Sequence, residues 1–227
     1  MRLGALSYGD DAAREVSRRF LGEYATRAAL KSVPVSGRVD GMYSAVAAPA
    51  AGLDPSLWRF HAASAAAVDG AAEELVLVPD AGSGRWHRAE RQFVAALPFT
   101  FETADAAALL TVPEGFALRY AATPWWHITT AMTGGSSSAI GISTDKTNYD
   151  TKGDLLGGAT GDVLATLTAG IKPGTIGAEV DNLTDLHALL MVEGDIAARF
   201  DRITSAFTAG AGYVRMPLIV AAAPATP

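Results

Sequence analysis

The chain has no cysteine, only four histidines and few cations, and each shortage removes a class of function. Without cysteine there is neither a disulfide framework nor a thiolate zinc site, which fits folding in a reducing cytoplasm. The histidines His61, His87, His127 and His187 never stand three or four residues apart. The spacing that aims two imidazoles at one metal from a helix is therefore missing, and no metal or other cofactor is expected. Lys and Arg number 18 against 24 Asp and Glu, giving a net charge of -6 with no clustered basic stripe. Direct nucleic-acid binding is not expected of such a surface. No window approaches the roughly 20 apolar residues of a membrane span, and Met1–Asp10 lacks a signal-peptide pattern. The expectation is a soluble chain with no membrane partner.

What is present is a globular composition, 49% apolar and 19% charged over 227 residues, enough for one sizeable core or two small ones. After Asp10-Asp11, residues Val16, Phe20, Tyr24 and Ala28 recur every four positions, which predicts an amphipathic helix over Ala12–Ala29 with acidic groups at its positive end. Its apolar stripe would pack on its own domain or dock as an arm on a neighbouring subunit. Beyond Pro34 and Gly37 the period shortens. Strands are predicted at 41–47, 57–63, 74–78, 85–95, 109–112, 116–121, 125–131, 139–143, 163–167, 186–192, 197–203 and 213–220, with a hairpin turn over Asp80–Gly84 and a loop or irregular strand over 204–212. Short strands without intervening helices predict a mainly β fold, an antiparallel β-sandwich or jelly roll rather than a βαβ fold. A boundary between Ala121 and Gly135 would divide it into a helical arm (1–33), a β domain (34–123) and a second β domain (124–227) whose Pro/Ala-rich tail frays.

Candidate reactive groups do not assemble into a known constellation. Gly135-Ser136-Ser137-Ser138 precedes a predicted strand, whereas a nucleophile elbow needs a following helix. Asp145, Asn148, Asp150 and Asp154 could offer oxygens to calcium, but their spacing is not that of an EF-hand. Glu73, Glu74, Glu102, Asp105 and Glu114 are expected on the surface, and the Gly tracts at 157–158 and 210–212 lack the Lys-Ser/Thr ending of a phosphate loop. The expectation is a protein without catalytic residues.

The largest apolar side chains are Trp58, in Trp58-Arg59-Phe60, and the pair Trp125-Trp126. Strand alternation sends one member of the pair inward and the other outward, and an outward Trp marks an interface or, alternatively, a sugar-stacking platform. Val16, Phe20, Tyr24, Trp58, Trp125 and Trp126 are thus the interface candidates.

The segment Asp150-Thr151-Lys152-Gly153-Asp154-Leu155-Leu156, with the Gly-rich run through Gly161, resembles a TKGDLL stretch of tailed-bacteriophage virion proteins. The closing stretch from Phe200 to Gly212 (FDRITSAFTAGAG) is similar to phage structural proteins. The resemblance covers roughly the last hundred residues and carries no catalytic residue with it. It implies a capsid decoration, head-fibre or tail-associated protein, made in the host cytoplasm and built into the virion. Its partners would be the major capsid protein or other virion proteins and further copies of itself, a homo-oligomer such as a trimer. A carbohydrate- or receptor-binding module on the virion surface is the alternative.

Overall fold

The computed structural model of the chain describes residues 20–47, 54–70, 73–134, 138–158, 161–163, 168–175, 183–204 and 207–222. The fold is mainly β, with several antiparallel sheets. Two compact units divide it, one drawn from Met1–Ala65 and Val76–Glu90, the other from Ala66–Leu75 and Arg91–Pro227.

In unit 1 the strands are β1 (Phe20–Tyr24), β2 (Tyr43–Val46), β3 (Ser56–His61), β4 (Val76–Leu77) and β5 (Arg85–Arg88), arranged β1-β2-β3-β5-β4. A short helix, α1 (Arg27–Lys31), lies between β1 and β2; Thr26 caps it by accepting the Ala29 N–H at 3.1 Å. Period-two alternation in β3 turns Trp58 and Phe60 to one face, where they meet Leu30, Val33, Val46, Leu77 and Trp86 in a core. Phe60 and Trp86 stand 5.1 Å apart, ring centre to ring centre. The expected turn over Asp80–Gly84 falls between β4 and β5. Gly84 has a φ of +86° there, and a Cβ on it would strike the Phe60 ring.

The expected N-terminal helix is corrected where it can be seen. Residues 12–19, including Val16, lie outside the described residues, but Phe20–Tyr24 is a strand paired parallel to β2. A four-residue apolar spacing is close to a helical turn and is also twice the strand period, so the stripe does not discriminate. β1, α1 and β2 form a strand-helix-parallel strand unit, a topology the sequence reading had set aside. Pairing across the sheet with β2 and β3 decides the conformation.

Unit 2 contains β6 (Gln92–Thr100), β7 (Ala107–Thr111), β8 (Ala117–Tyr120), β9 (Trp125–Gly134), β10 (Ala139–Ser143), β11 (Asp162–Val163), β12 (Gly170–Lys172), α2 (Leu183–Ala188), β13 (Leu190–Val192), β14 (Ile196–Thr204) and β15 (Phe207–Ala222). One sheet has the order β11-β10-β14-β7; the other runs β12-β9-β15-β8-β13, with β6 also on β15. β15 is the spine of the larger sheet. β6 pairs with it from Thr100↔Ala211 to Gln92↔Ile219 without a register break. On the opposite edge β9 and β8 lie end to end, joined by a jog at Ala121–Pro124, where Tyr120 faces Leu218 and Trp125 faces Arg215. The Pro217 carbonyl accepts the Ala121 N–H at 2.9 Å, so its proline nitrogen faces this jog, where the ladder asks for no donor.

The two sheets of unit 2 touch through aromatic side chains. Phe99 of β6 lies 5.3 Å from Phe200 of β14 and 5.5 Å from Trp126 of β9, and the Tyr120 hydroxyl donates to the Ala197 carbonyl at 2.5 Å. The segment Ala66–Leu75 belongs here as well. Its Asp69 carbonyl accepts the Thr111 N–H at 2.9 Å, and its buried Glu74 carboxylate accepts the Ala96 N–H at 3.2 Å, covering part of the open edge of β6.

These pairings redraw the expected divisions. The single strand expected at 85–95 breaks at residues 89–91, and its halves join different units, so residues 91–123 share a unit with 124–222. The boundary expected between Ala121 and Gly135 falls inside unit 2. Leu186–Ala188 closes α2 rather than opening a strand, and β15 already begins at Phe207 within the stretch read as a loop or irregular strand. Residues 164–167 and the tail beyond Ala222 lie outside the described residues.

Candidate functional site

The interface candidates separate on the structure. Trp58 and Trp126 are fully enclosed, and Tyr24 packs against the unit 1 core. They are core residues, because strand alternation turns them to the packed face. Phe20, 37% exposed, pairs with Tyr43 on the opposite face of that sheet. Trp125 is half-buried on the outward face of β9, opposite Arg215, while Trp126 points inward as alternation predicts.

Around Trp125 the outward face of the six-stranded sheet forms a surface that the sequence did not disclose. Following the register across the strands, Pro98, Tyr213, His127 and Ile171 form one row, with His127 and Tyr213 at 6.0 Å between ring centres. Gln92, Ile219, Arg119 and Leu190 form a second. Both rows end on the short strands β12 and β13, where Ile171 is 71% exposed, Leu190 39% and Val192 43%. Among the described residues these strands pair on one side only. Their backbone edges remain open to another strand. β12, three residues with Ile171 as its one apolar side chain, leaves too short a pattern to recognise in sequence, whereas β13 falls within the strand expected at 186–192.

A second cluster lies on the face of the unit 1 sheet opposite Trp58. Arg59 faces His87 and His61 faces Arg85 across β3 and β5. The two imidazoles lie with ring centres 4.5 Å apart, tilted to each other, and His87 Nε2 shares a 2.8 Å hydrogen bond with the Ser64 hydroxyl. Burial, then His61 and Arg85, push His87 down to about 4; burial, then Arg59, lower His61 against the opposing pull of Asp40. A hydroxyl beside an imidazole is the geometry of an activated nucleophile, but an imidazole so depressed is a weak base for a serine proton at neutral pH.

The segment Asp150–Leu156 fastens a loop to the smaller sheet. Gly153 lies against Gly141 of β10 so closely that a Cβ on Gly141 would come within 2.8 Å of the Gly153 Cα, and Gly153 itself has a φ of +80°. Its N–H donates to the buried Asp201 carboxylate at 3.0 Å, Lys152 pairs with Asp105 and with the Arg202 carbonyl, and Leu155 and Leu156 are fully buried. Burial pushes the Asp201 carboxyl above its ordinary range, against the pull of Ser143, Gly153 N–H, Arg199 and Lys152.

No family model, curated protein or solved structure matches the chain.

The oxygens considered for calcium have other uses. The Asp150 carbonyl accepts from Arg199 and the Asp154 carboxylate accepts the Thr151 N–H at 2.7 Å. Among the described residues no group of three or more His, Asp or Glu side chains is placed to hold a metal. Asp162 is likewise engaged, accepting from the Trp126 indole at 2.6 Å and from the Thr175 hydroxyl at 2.8 Å. Ser138 is buried and followed by β10, so no helix exposes it as a nucleophile; Ser136 and Ser137 lie outside the described residues.

Proposed function

We propose that this chain is a non-enzymatic structural component of a tailed-phage virion. It decorates or stabilises the capsid, or sits on the head or tail surface, by docking through the outward face of its six-stranded sheet. The observation that carries the reading is the set of exposed apolar residues on the two short edge strands, Ile171 on β12 and Leu190 and Val192 on β13, on the same sheet face as the half-buried Trp125. Exposed apolar side chains on an unpaired edge suit strand addition or face-to-face docking, and many weak contacts on a symmetric shell add through avidity. The buried polar groups Asp162, Asp201 and Glu74 all take internal hydrogen bonds, which supports a role in packing rather than turnover. The TKGDLL resemblance adds the virion context. In this reading the two sheets of unit 2 form a sandwich whose filling is Phe99, Phe200 and Trp126.

A sugar-stacking platform needs an open indole face. Trp58 and Trp126 are enclosed, which leaves Trp125 as the candidate among the three tryptophans first considered.

The test is co-sedimentation of the purified protein with shells and tails of the phage whose genome encodes it, with light scattering to read its assembly state. Wild-type protein sediments with one of them, and the double variant Ile171→Asp, Leu190→Asp stays in the supernatant with unchanged circular dichroism. Wild-type protein that remains monomeric and free of both particles overturns the reading.

A further inference from the structure

The paired imidazoles of unit 1 are placed where a proton is hardest to accept. Both stand on the same face of adjacent antiparallel strands, ring centres 4.5 Å apart and tilted by 34°, each directly opposite an arginine: His87 opposite Arg59, His61 opposite Arg85. Few compensating groups surround them. From β2 the nearest side chain in this row is Tyr43, already beneath the Arg59 guanidinium at 5.8 Å. From β4 it is Val76, which faces His87. The turn before β2 brings Asp40, whose carboxylate accepts the Ala62 N–H at 2.9 Å, and the loop after β3 brings the Ser64 hydroxyl. Among these described neighbours one carboxylate stands against two guanidinium cations, and a charge on either imidazole also opposes a charge on the other.

We propose that the adjacent His61–His87 pair makes the five-stranded sheet of unit 1 an acid-labile element, closed while both rings are neutral and opened by the uptake of protons. The sign follows from linkage. A released imidazole titrates near 6.5, and in the closed sheet both rings are depressed, His87 to about 4. Between those limits the open form binds more protons than the closed form. Stability is therefore complete above about pH 6.5, falls as the pH drops towards 4, and falls no further from His87 below that. Like charges 4.5 Å apart resist each other, so the closed sheet resists a second proton more than a first, and opening is what admits both.

Hydrogen exchange followed by mass spectrometry, corrected for intrinsic exchange, reads opening strand by strand between pH 7.5 and 5. The opening constant of β3 and β5 is expected to rise by more than tenfold per pH unit between about pH 6 and 5, towards the 100-fold limit set by two protons. His87→Gln reduces that slope to about tenfold, and His61→Gln with His87→Gln removes it; the slope, unlike the absolute stability, is insensitive to packing lost in the variants. A wild-type slope equal to that of the double variant overturns the proposal. Should the double variant not fold, NMR titration of the imidazole C–H signals in the wild type decides: both rings remaining neutral at pH 5.5 supports it, and either ring titrating near 6.5 in the closed sheet overturns it.

Discussion

The five-stranded sheet of unit 1 buries bases, His61 and His87, between Arg59 and Arg85, whereas the sheets of unit 2 bury acids, Asp162 and Asp201, beneath loops that offer them N–H and O–H donors. Acid acts on the two in opposite senses. Closing unit 1 around neutral imidazoles becomes costlier as the pH falls, but the Asp201 carboxyl, held above its ordinary range by burial, binds its proton more readily folded than unfolded and gains stability as the pH drops through that range. The lesson is that one chain can carry two kinds of polar interior. In one, burial and neighbouring cations keep the imidazoles neutral; in the other, a backbone donor and nearby cations oppose the protonation of Asp201 that burial favours.

The sharpest way to break the comparison is Trp58→Ala, which empties the centre of the unit 1 core and removes a ring whose indole donates to Ser56 at 2.8 Å. A loss of about 3–5 kcal/mol is expected, read by denaturant melts, with exchange protection of β10 and β14 retained. Loss of protection in both units together would abolish the distinction between them. Next in size is Trp126→Phe. It keeps most of the ring but withdraws the indole donor from Asp162, at an expected cost of about 2–3 kcal/mol confined to unit 2. An unchanged melt would mean that Asp162 is satisfied by Thr175 alone. The smallest effect is Thr26→Ala, which removes the cap of α1 and should cost unit 1 about 1 kcal/mol. Because the cap lies far in sequence from β3, its cost should be the same at pH 7.5 and pH 5.5, unlike that of His87→Gln.

Much of the β architecture was legible before any coordinates. The alternation that buries Trp126 and turns Trp125 outward, the turn at Asp80–Gly84 and the strand at Ala139–Ser143 all follow from local period and turn chemistry. Partnership was not legible. Arg85–Arg88 and Gln92–Thr100 stand only a few residues apart in sequence, yet the first pairs with β3 and the second with β15, more than a hundred residues downstream. A strand's pattern says which face is buried and is silent on what covers it. Phe20–Tyr24 was misjudged for the same reason, since the neighbour that makes it a strand is Tyr43–Val46. Of the six interface candidates, the sequence could rank bulk but not enclosure, so it favoured Trp58 and Trp126 over Ile171 and Leu190. The TKGDLL segment stands out in sequence by resemblance alone; in the structure its glycine and lysine each meet a particular neighbour and its leucines are buried.

The spine position of β15 bears on how the molecule is made. Unit 1 has all of its pairing partners by Glu90, so it can close while the rest of the chain is still on the ribosome. Strands β6, β8 and β9 instead wait for Phe207–Ala222, the last of the described strands to be synthesised. Until that segment emerges, Phe93, Leu97, Phe99 and Trp126 have no completed sheet to enter, and the nascent chain presents its stickiest surface for the time taken to translate more than a hundred residues.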